Sequence, residues 1–402
     1  MSPSPARAAT TVILAGMVAA LHIGKIPSAI PVLREALGVT LVEAGFLLSM
    51  VQLAGMLSGV LVGVACDGLG LRRSMLTGQF ILFAASLAGM WARQPSDLLV
   101  LRALEGLGFL LVVLPAPSLI RKLVSSRQLS LYLGLWGGYM PTGAALALLC
   151  GPLVMTALGW QAWWGLLGGL SAVMAVWMAV NVAPDAQRRQ ITGKHAPAIS
   201  PNIGSWTHRL HLTLTSSGPW LVALAFAMYS SQWLAVIGFL PSVYAQSGIS
   251  GPVAGALTAL VCAVNVIGNV GAGKLLHRGW SARRLLTLGF GSMAFTTFLA
   301  FSTLTEGLPL LRYVAVLLFS AIGGLVPGTL FSLAVRVAPN EHTVSTTVGW
   351  VQQCSATGQF FGPPLVAWIA TQVGGWHATW VVTGMASLVG LWLVSRIRIG
   401  GP

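Results

Sequence analysis

Residues Thr11–Pro31 read TVILAGMVAALHIGKIPSAIP. A helix rises about 1.5 Å per residue, so this run is long enough to cross the roughly 30 Å hydrocarbon core of a bilayer. Its only ionisable groups are His22 and Lys25. A cation at that depth costs about 3 kcal/mol or more unless a partner, a water-filled cavity or an anionic ligand meets it. Lys25 therefore points to the handling of a small anionic solute. His22, three residues earlier, shares its helix face. The competing readings are that Lys25 snorkels toward the headgroups past Pro27 and Pro31, and that His22 only packs or hydrogen-bonds.

The rest of the chain repeats this pattern. Its 402 residues are 55% hydrophobic and 7% charged, against about 25% charged in soluble domains, which excludes a soluble globular protein. Apolar runs fall near 11–31, 44–66, 74–92, 98–120, 129–153 and 162–182, then near 218–240, 250–273, 285–305, 311–335, 345–370 and 376–395. That predicts an all-α membrane protein of twelve transmembrane helices. It divides into a six-helix bundle over 1–182, a polar cytoplasmic linker over 183–217 and a second six-helix bundle over 218–402. The first run lacks a small-residue cleavage site and reads as a span, not a signal peptide.

A net charge of +14 would suggest nucleic acid on a soluble chain. Here seventeen of the 22 Lys and Arg fall in the short loops of one side, in the linker or at the termini, among them Arg72, Arg73, Arg121, Lys122, Arg283 and Arg284. By the positive-inside rule both termini are cytoplasmic, and a cytoplasmic (inner) membrane location follows. Cys66, Cys150, Cys262 and Cys354 sit in or beside apolar runs as small packing residues, with no disulfide or zinc spacing.

The two halves echo each other. Gly63-x-x-x-Asp67-x-x-Gly70-x-Arg72-Arg73 after span two is matched more loosely by Gly271 through Arg284 after span eight. Gly151-Pro152 with Gly159-Trp160 is matched by Gly362-Pro363 with Gly375-Trp376. Parallel repeats of this kind place a solute site near the midplane, between the halves.

The Asp67 loop resembles the signature of the major facilitator superfamily, departing from it at Gly68, where a basic residue is common. Arg102-Ala-Leu-Glu105-Gly106 in span four is similar to that family's arginine-x-x-glutamine-glycine motif, with Glu in place of Gln. Pro117 through Lys122, Gly134-Leu-Trp136-Gly and the Trp163-Trp164 pair resemble the cyanate and nitroimidazole transporter branch. The resemblance implies two pseudo-symmetric bundles, alternating access, a working monomer and an outward-open state held by the Asp67 region.

Each candidate residue has a bland alternative. Asp67, Arg72 and Arg73 read as a gate on the cytoplasmic side or as topology-setting charge. Arg102 and Glu105 share a face and could simply pair with each other. Glu105 is the one acidic residue well inside a span; burial against nearby cations suits a proton site that follows solute occupancy. Trp136, Tyr139, Gln352, Gln353 and Gln359 sit in spans five and eleven; Gln352 or Gln353 is expected to line the pathway. Gly55, Gly59 and Gly63 read as close helix packing, and Arg312 as an outer-surface anchor.

No phosphate-binding loop, metal-ligand cluster or nucleophile–base pair is present in the sequence, so neither an enzyme nor an ATP-driven pump is expected, and no cofactor. The expected activity is secondary transport of a small anion, coupled to protons through Glu105, with symport as the direction of coupling. Lys25, His22, Arg102, Trp136, Tyr139, Gln352 and Gln353 are the candidate solute contacts. A proton-antiport exporter of drugs or metabolites is the alternative; Gly143 and Gly151-Pro152 match that pattern only in part. A membrane sensor would need a cytoplasmic domain larger than this linker.

Overall fold

The computed structural model describes residues 5–184, 206–249, 251–340 and 343–397; the side chains of 63–69 and a few others within helices lie outside the description. The first half comprises α1 (Pro5–Leu37), α2 (Leu41–Ser49), α3 (Leu53–Leu69), α4 (Leu71–Gly89), α5 (Pro95–Val113), α6 (Ala116–Leu123), α7 (Ser126–Gly137) and α8 (Tyr139–Asn181). A short α9 (Trp206–Thr215) lies within the stretch read as linker. The second half comprises α10 (Ser217–Gln246), α11 (Gly251–His277), α12 (Ala282–Phe301), α13 (Pro309–Gly323), α14 (Leu325–Arg336), α15 (Val344–Val373) and α16 (Thr379–Arg396).

Nine helical stretches among the described residues are long and apolar enough to cross a membrane. One of them, α8, has 43 residues, about twice what a span needs. It breaks at Gly159 (φ 84°), a conformation that glycine adopts without a Cβ penalty, and so holds the end of span five and all of span six. The sequence reading left 154–161 between those two runs; the structure has no loop there. The polar-rich α4 and α15 supply two more, which brings the spans to twelve. Span two is α2 and α3 joined by a 3-10 turn at Met50–Gln52; spans four and ten are α5 with α6 and α13 with α14. This is the two-bundle, twelve-helix architecture.

Local chemistry sets the helix starts. Thr40 and Glu43 form a capping box on α2, the Thr40 Oγ1 accepting from the Glu43 N–H at 3.2 Å and Glu43 Oε2 accepting from the Thr40 N–H at 2.8 Å. Pro95 opens α5, where Asp97 accepts from the Arg93 and Gln94 N–H groups. Arg312 donates to Ser302 O at 2.6 Å and to Thr305 Oγ1 at 3.3 Å, so it ties the α12–α13 turn and reaches no interior site.

Two seams join the halves, and α1 also packs against α10. In one, α15 runs along α2 and α3; a Cβ at Gly45 would lie 2.8 Å from Pro364 Cα, so only glycine allows that approach. In the other, α8 meets α11: Cys262 Sγ approaches Pro141 O at 3.6 Å, and a Cβ at Gly255 would meet Leu148 O at 2.6 Å. At the end opposite the termini, residues 22–30 of α1 and 232–242 of α10 are buried on every face. That far end is closed. At the terminal end, α6 and α14 pack within their own halves.

Candidate functional site

Side chains of α1 and α5 converge on one carboxylate, and α2, α4 and α8 hold them there. Glu105, on α5, is 1% exposed. Arg102, one turn earlier on the same helix, donates from Nη1 to Glu105 Oε2 at 2.6 Å. Lys25 of α1 forms an ion pair with Glu105 Oε1. His22 Nδ1 lies 3.4 Å from that same oxygen. The three described ion pairs all meet at Glu105.

Outer contacts hold each partner in place. Lys25 Nζ donates to Ser86 Oγ of α4 at 3.1 Å and stands 4.7 Å from the centre of the Trp164 ring, a cation–π distance. Ser86 in turn donates to Trp164 O at 2.9 Å. His22 Nε2 and Ser171 Oγ, on α8, are 2.9 Å apart. Arg102 Nε donates to Leu47 O and its Nη1 also to His22 O, which ties α5 to α2 and α1. Arg102 Nη2 is buried and meets no acceptor among the described residues.

Lys25 does not snorkel. It is wholly buried four residues past the middle of α1, and its charge is met by a carboxylate, a hydroxyl and an indole face. Nor do Arg102 and Glu105 form a self-contained pair, since Lys25 shares the same carboxylate. Counted formally, two cations face one anion, an excess of one positive charge in a sealed interior. The partners come from spans one, two, three, four and six, all of them in the first half.

The other expected residues lie elsewhere. Trp136 and Tyr139 stack at 4.2 Å, near Gly16 of α1. Gln352 is half-buried on α15. Gln353 sits on the α3–α15 seam with its amide bonded to α3 backbone groups, and Gln359 meets Gln52 across the same seam at 3.0 Å. Gly55 and Gly59 face Ala356 and Gln353 there, as close packing predicts. Arg72 donates to Ala179 O at 2.7 Å and so bridges α4 to the end of α8; Arg73 is exposed near that end. The side chain of Asp67 lies outside the described residues.

Sequence reasoning missed Ser86 and Ser171, which look like unremarked small residues in apolar runs; only their helical phase toward α1 marks them. It also missed an uncharged polar knot in the second half. There Asn265 Nδ2 donates to Tyr229 Oη at 3.0 Å and to Ser320 O at 2.9 Å. Asn269 donates to Asn265 Oδ1 at 2.8 Å, and Trp233 Nε1 to Ser320 Oγ at 3.3 Å. Two Asn four residues apart in an apolar run were the available signal, since amides in lipid seek partners on other helices.

Comparison with known proteins agrees with this architecture. The family model described as Major Facilitator Superfamily matches residues 12–351. A hexuronate transporter of Bacillus subtilis (strain 168) is 22% identical, covering 97% of this chain and 94% of its own length. Monocarboxylate transporter 12 of Rattus norvegicus is 23% identical over 89% of this chain and 78% of its own length. Among solved structures, a D-xylose-proton symporter superposes with a TM-score of 0.77 at 14% identity, covering 98% of each chain. A bacterial homologue of the human lysosomal transporter Spinster, inward-facing and occupied, gives 0.78 at 14% identity, over 99% of this chain and 98% of its own. At such identities the structural likeness establishes the fold alone.

Proposed function

This chain belongs to the Major Facilitator Superfamily, and from that premise we propose that it is a secondary transporter that carries a small organic anion together with a proton. The sealed cluster of His22, Lys25, Arg102 and Glu105 carries this reading. While Glu105 is ionised, it supplies the counter-charge for Lys25 and Arg102. A proton on Glu105 removes that counter-charge and leaves two buried cations, an arrangement that costs several kcal/mol unless an anion enters. A solute carboxylate that takes over the counter-charge therefore favours the protonated Glu105, and the protonated Glu105 favours the solute. Linkage of this sign gives symport.

The printed names of the two relatives, a hexuronate and a monocarboxylate transporter, support a carboxylate as the anionic group. The D-xylose-proton symporter of the same fold supports the proton. A cyanate or nitroimidazole substrate finds no support in these relatives. In this reading the halves divide at 1–182 and 218–402, with 183–217 between them. The basic loops support cytoplasmic termini and a cytoplasmic-membrane location. The closed far end is then the outer end. Asp67, Arg72 and Arg73 act at the inner end of the first half as a gate.

Uptake into proteoliposomes tests the reading. Monocarboxylates and sugar acids are offered with and without an inward proton gradient, to wild type and to Lys25→Ala. The expected result is uptake of at least one carboxylate, driven by the gradient and lost in the variant. Gradient-driven carboxylate uptake that survives Lys25→Ala would remove the cluster from the mechanism.

A further inference from the structure

We propose that Gln353 is a clasp that holds the two halves together on the terminal side of the α3–α15 seam, and is not a solute ligand. Its amide makes two bonds to α3. Oε1 accepts from the Val60 N–H at 3.2 Å, and Nε2 donates to Met56 O at 2.9 Å. Met56 O and Val60 N–H are the two groups that an α-helix bonds to each other, four residues apart. The amide of one half thus bonds to both groups of a single rung of a helix in the other. Gly59 lies directly against it: the position a Cβ would take lies 3.5 Å from Gln353 Cβ.

This geometry suits a joint that must open. An ordinary interhelical bond, once broken in lipid, leaves orphaned polar groups. Here the α3 groups are each other's partners within the helix, so when the amide leaves only the Gln353 side chain must find new partners. The clasp lies nine residues from the terminal end of α3 and nine from that of α15. One and a half turns closer to the middle, Gln52 donates to Gln359, and Gln359 donates to Ser355 Oγ at 3.3 Å. Gln52 closes the 3-10 turn that interrupts span two. The seam therefore holds two polar joints across the halves, and the Gln353 joint is the first that must break if the terminal ends part. The bonds of Gln353 to α3 and of Gln52 to Gln359 join one half to the other, unlike the Asn265 knot, which stays within the second half.

The proposal rests on alternating access but needs no particular solute. The test is electron–electron distance measurement on the full chain in a cysteine-free background. One spin-label pair replaces Lys122 and Pro339 at the terminal end; a second replaces Ser96 and Gly307 at the far end. Gln353→Leu is expected to raise the population with long terminal-end distances about fivefold, the scale of one net hydrogen bond. Gln353→Asn, one methylene short, shifts it the same way, while Gln352→Leu leaves it unchanged. Unaltered distances in Gln353→Leu, or an equal shift in Gln352→Leu, would overturn the clasp. The anion proposal fails separately: if no carboxylate is transported but the distances shift, the clasp stands without it.

Discussion

Replacing Glu105 with Gln while leaving Lys25 and Arg102 in place should be among the costliest single changes in the first bundle, and costlier than removing Lys25. The asymmetry follows from the count of charges around one carboxylate. Glu105→Gln strips the counter-charge from two buried cations at once. Removing one partner of a buried ion pair costs about 3–5 kcal/mol. Arg102 cannot escape by losing its proton. Lys25→Met, by contrast, leaves Glu105 paired with Arg102 at 2.6 Å and replaces the stem with an apolar chain of similar volume. What is lost is one of the two cations on the carboxylate, the contact with the Trp164 face and the bond to Ser86, but no buried charge is left without a partner, so the cost stays below that of Glu105→Gln. In the double variant only Arg102 is left uncompensated, not two cations. It should be more stable than the sum of the single changes predicts, with a coupling of about 1–3 kcal/mol. Thermal unfolding of the purified chain in one detergent, followed by tryptophan emission, ranks the three variants. The expected order of melting temperature is wild type, Lys25→Met, then Glu105→Gln. A Lys25→Met variant as unstable as Glu105→Gln, or strictly additive losses, would refute the shared-carboxylate argument.

Further expectations concern transport and packing. Glu105→Gln should make any remaining carboxylate uptake insensitive to an inward proton gradient, and a gradient response equal to wild type would exclude Glu105 as the proton site. Ser171→Ala frees His22 Nε2 from its 2.9 Å partner; it should destabilise the chain by about 1 kcal/mol, read in the same melting assay. Gly362→Ala should destabilise by about 1–3 kcal/mol, because its Cβ would run into the backbone of Ser231 across the α10–α15 contact; Gly291→Ala, where nothing lies within 4 Å, is the comparison that should stay neutral.

Much of the architecture was legible in the sequence because hydropathy and loop charge are local quantities. The runs near 11–31, 218–240 and 250–273 each fall within a single observed helix. The α7–α8 region was harder, since Gly159 turns the chain with one dihedral and no charged residue marks the turn. The burial of Lys25 was legible as a cost, but not its partners: Ser86 lies sixty-one residues away, Glu105 eighty, and Trp164 further along still. Helical periodicity shows that Arg102 and Glu105 share a face; it does not show which helix that face meets. Gln353 illustrates the same limit. A glutamine in an apolar run must face something polar, and the sequence offered a pathway; the structure offers the backbone of α3.

The turn at Gly159 leaves spans five and six with no slack between them. A loop absorbs relative motion; a single glycine can only pivot. Span five carries Pro141 and Leu148 against the second half, while span six begins with Trp160, Trp163 and Trp164, the last of them under the Lys25 ammonium. Any sliding of the α8–α11 seam must either rotate the chain about Gly159 or tug on that indole. The glycine thus works as a crank, linking the surface where the halves meet to the charges buried in the first.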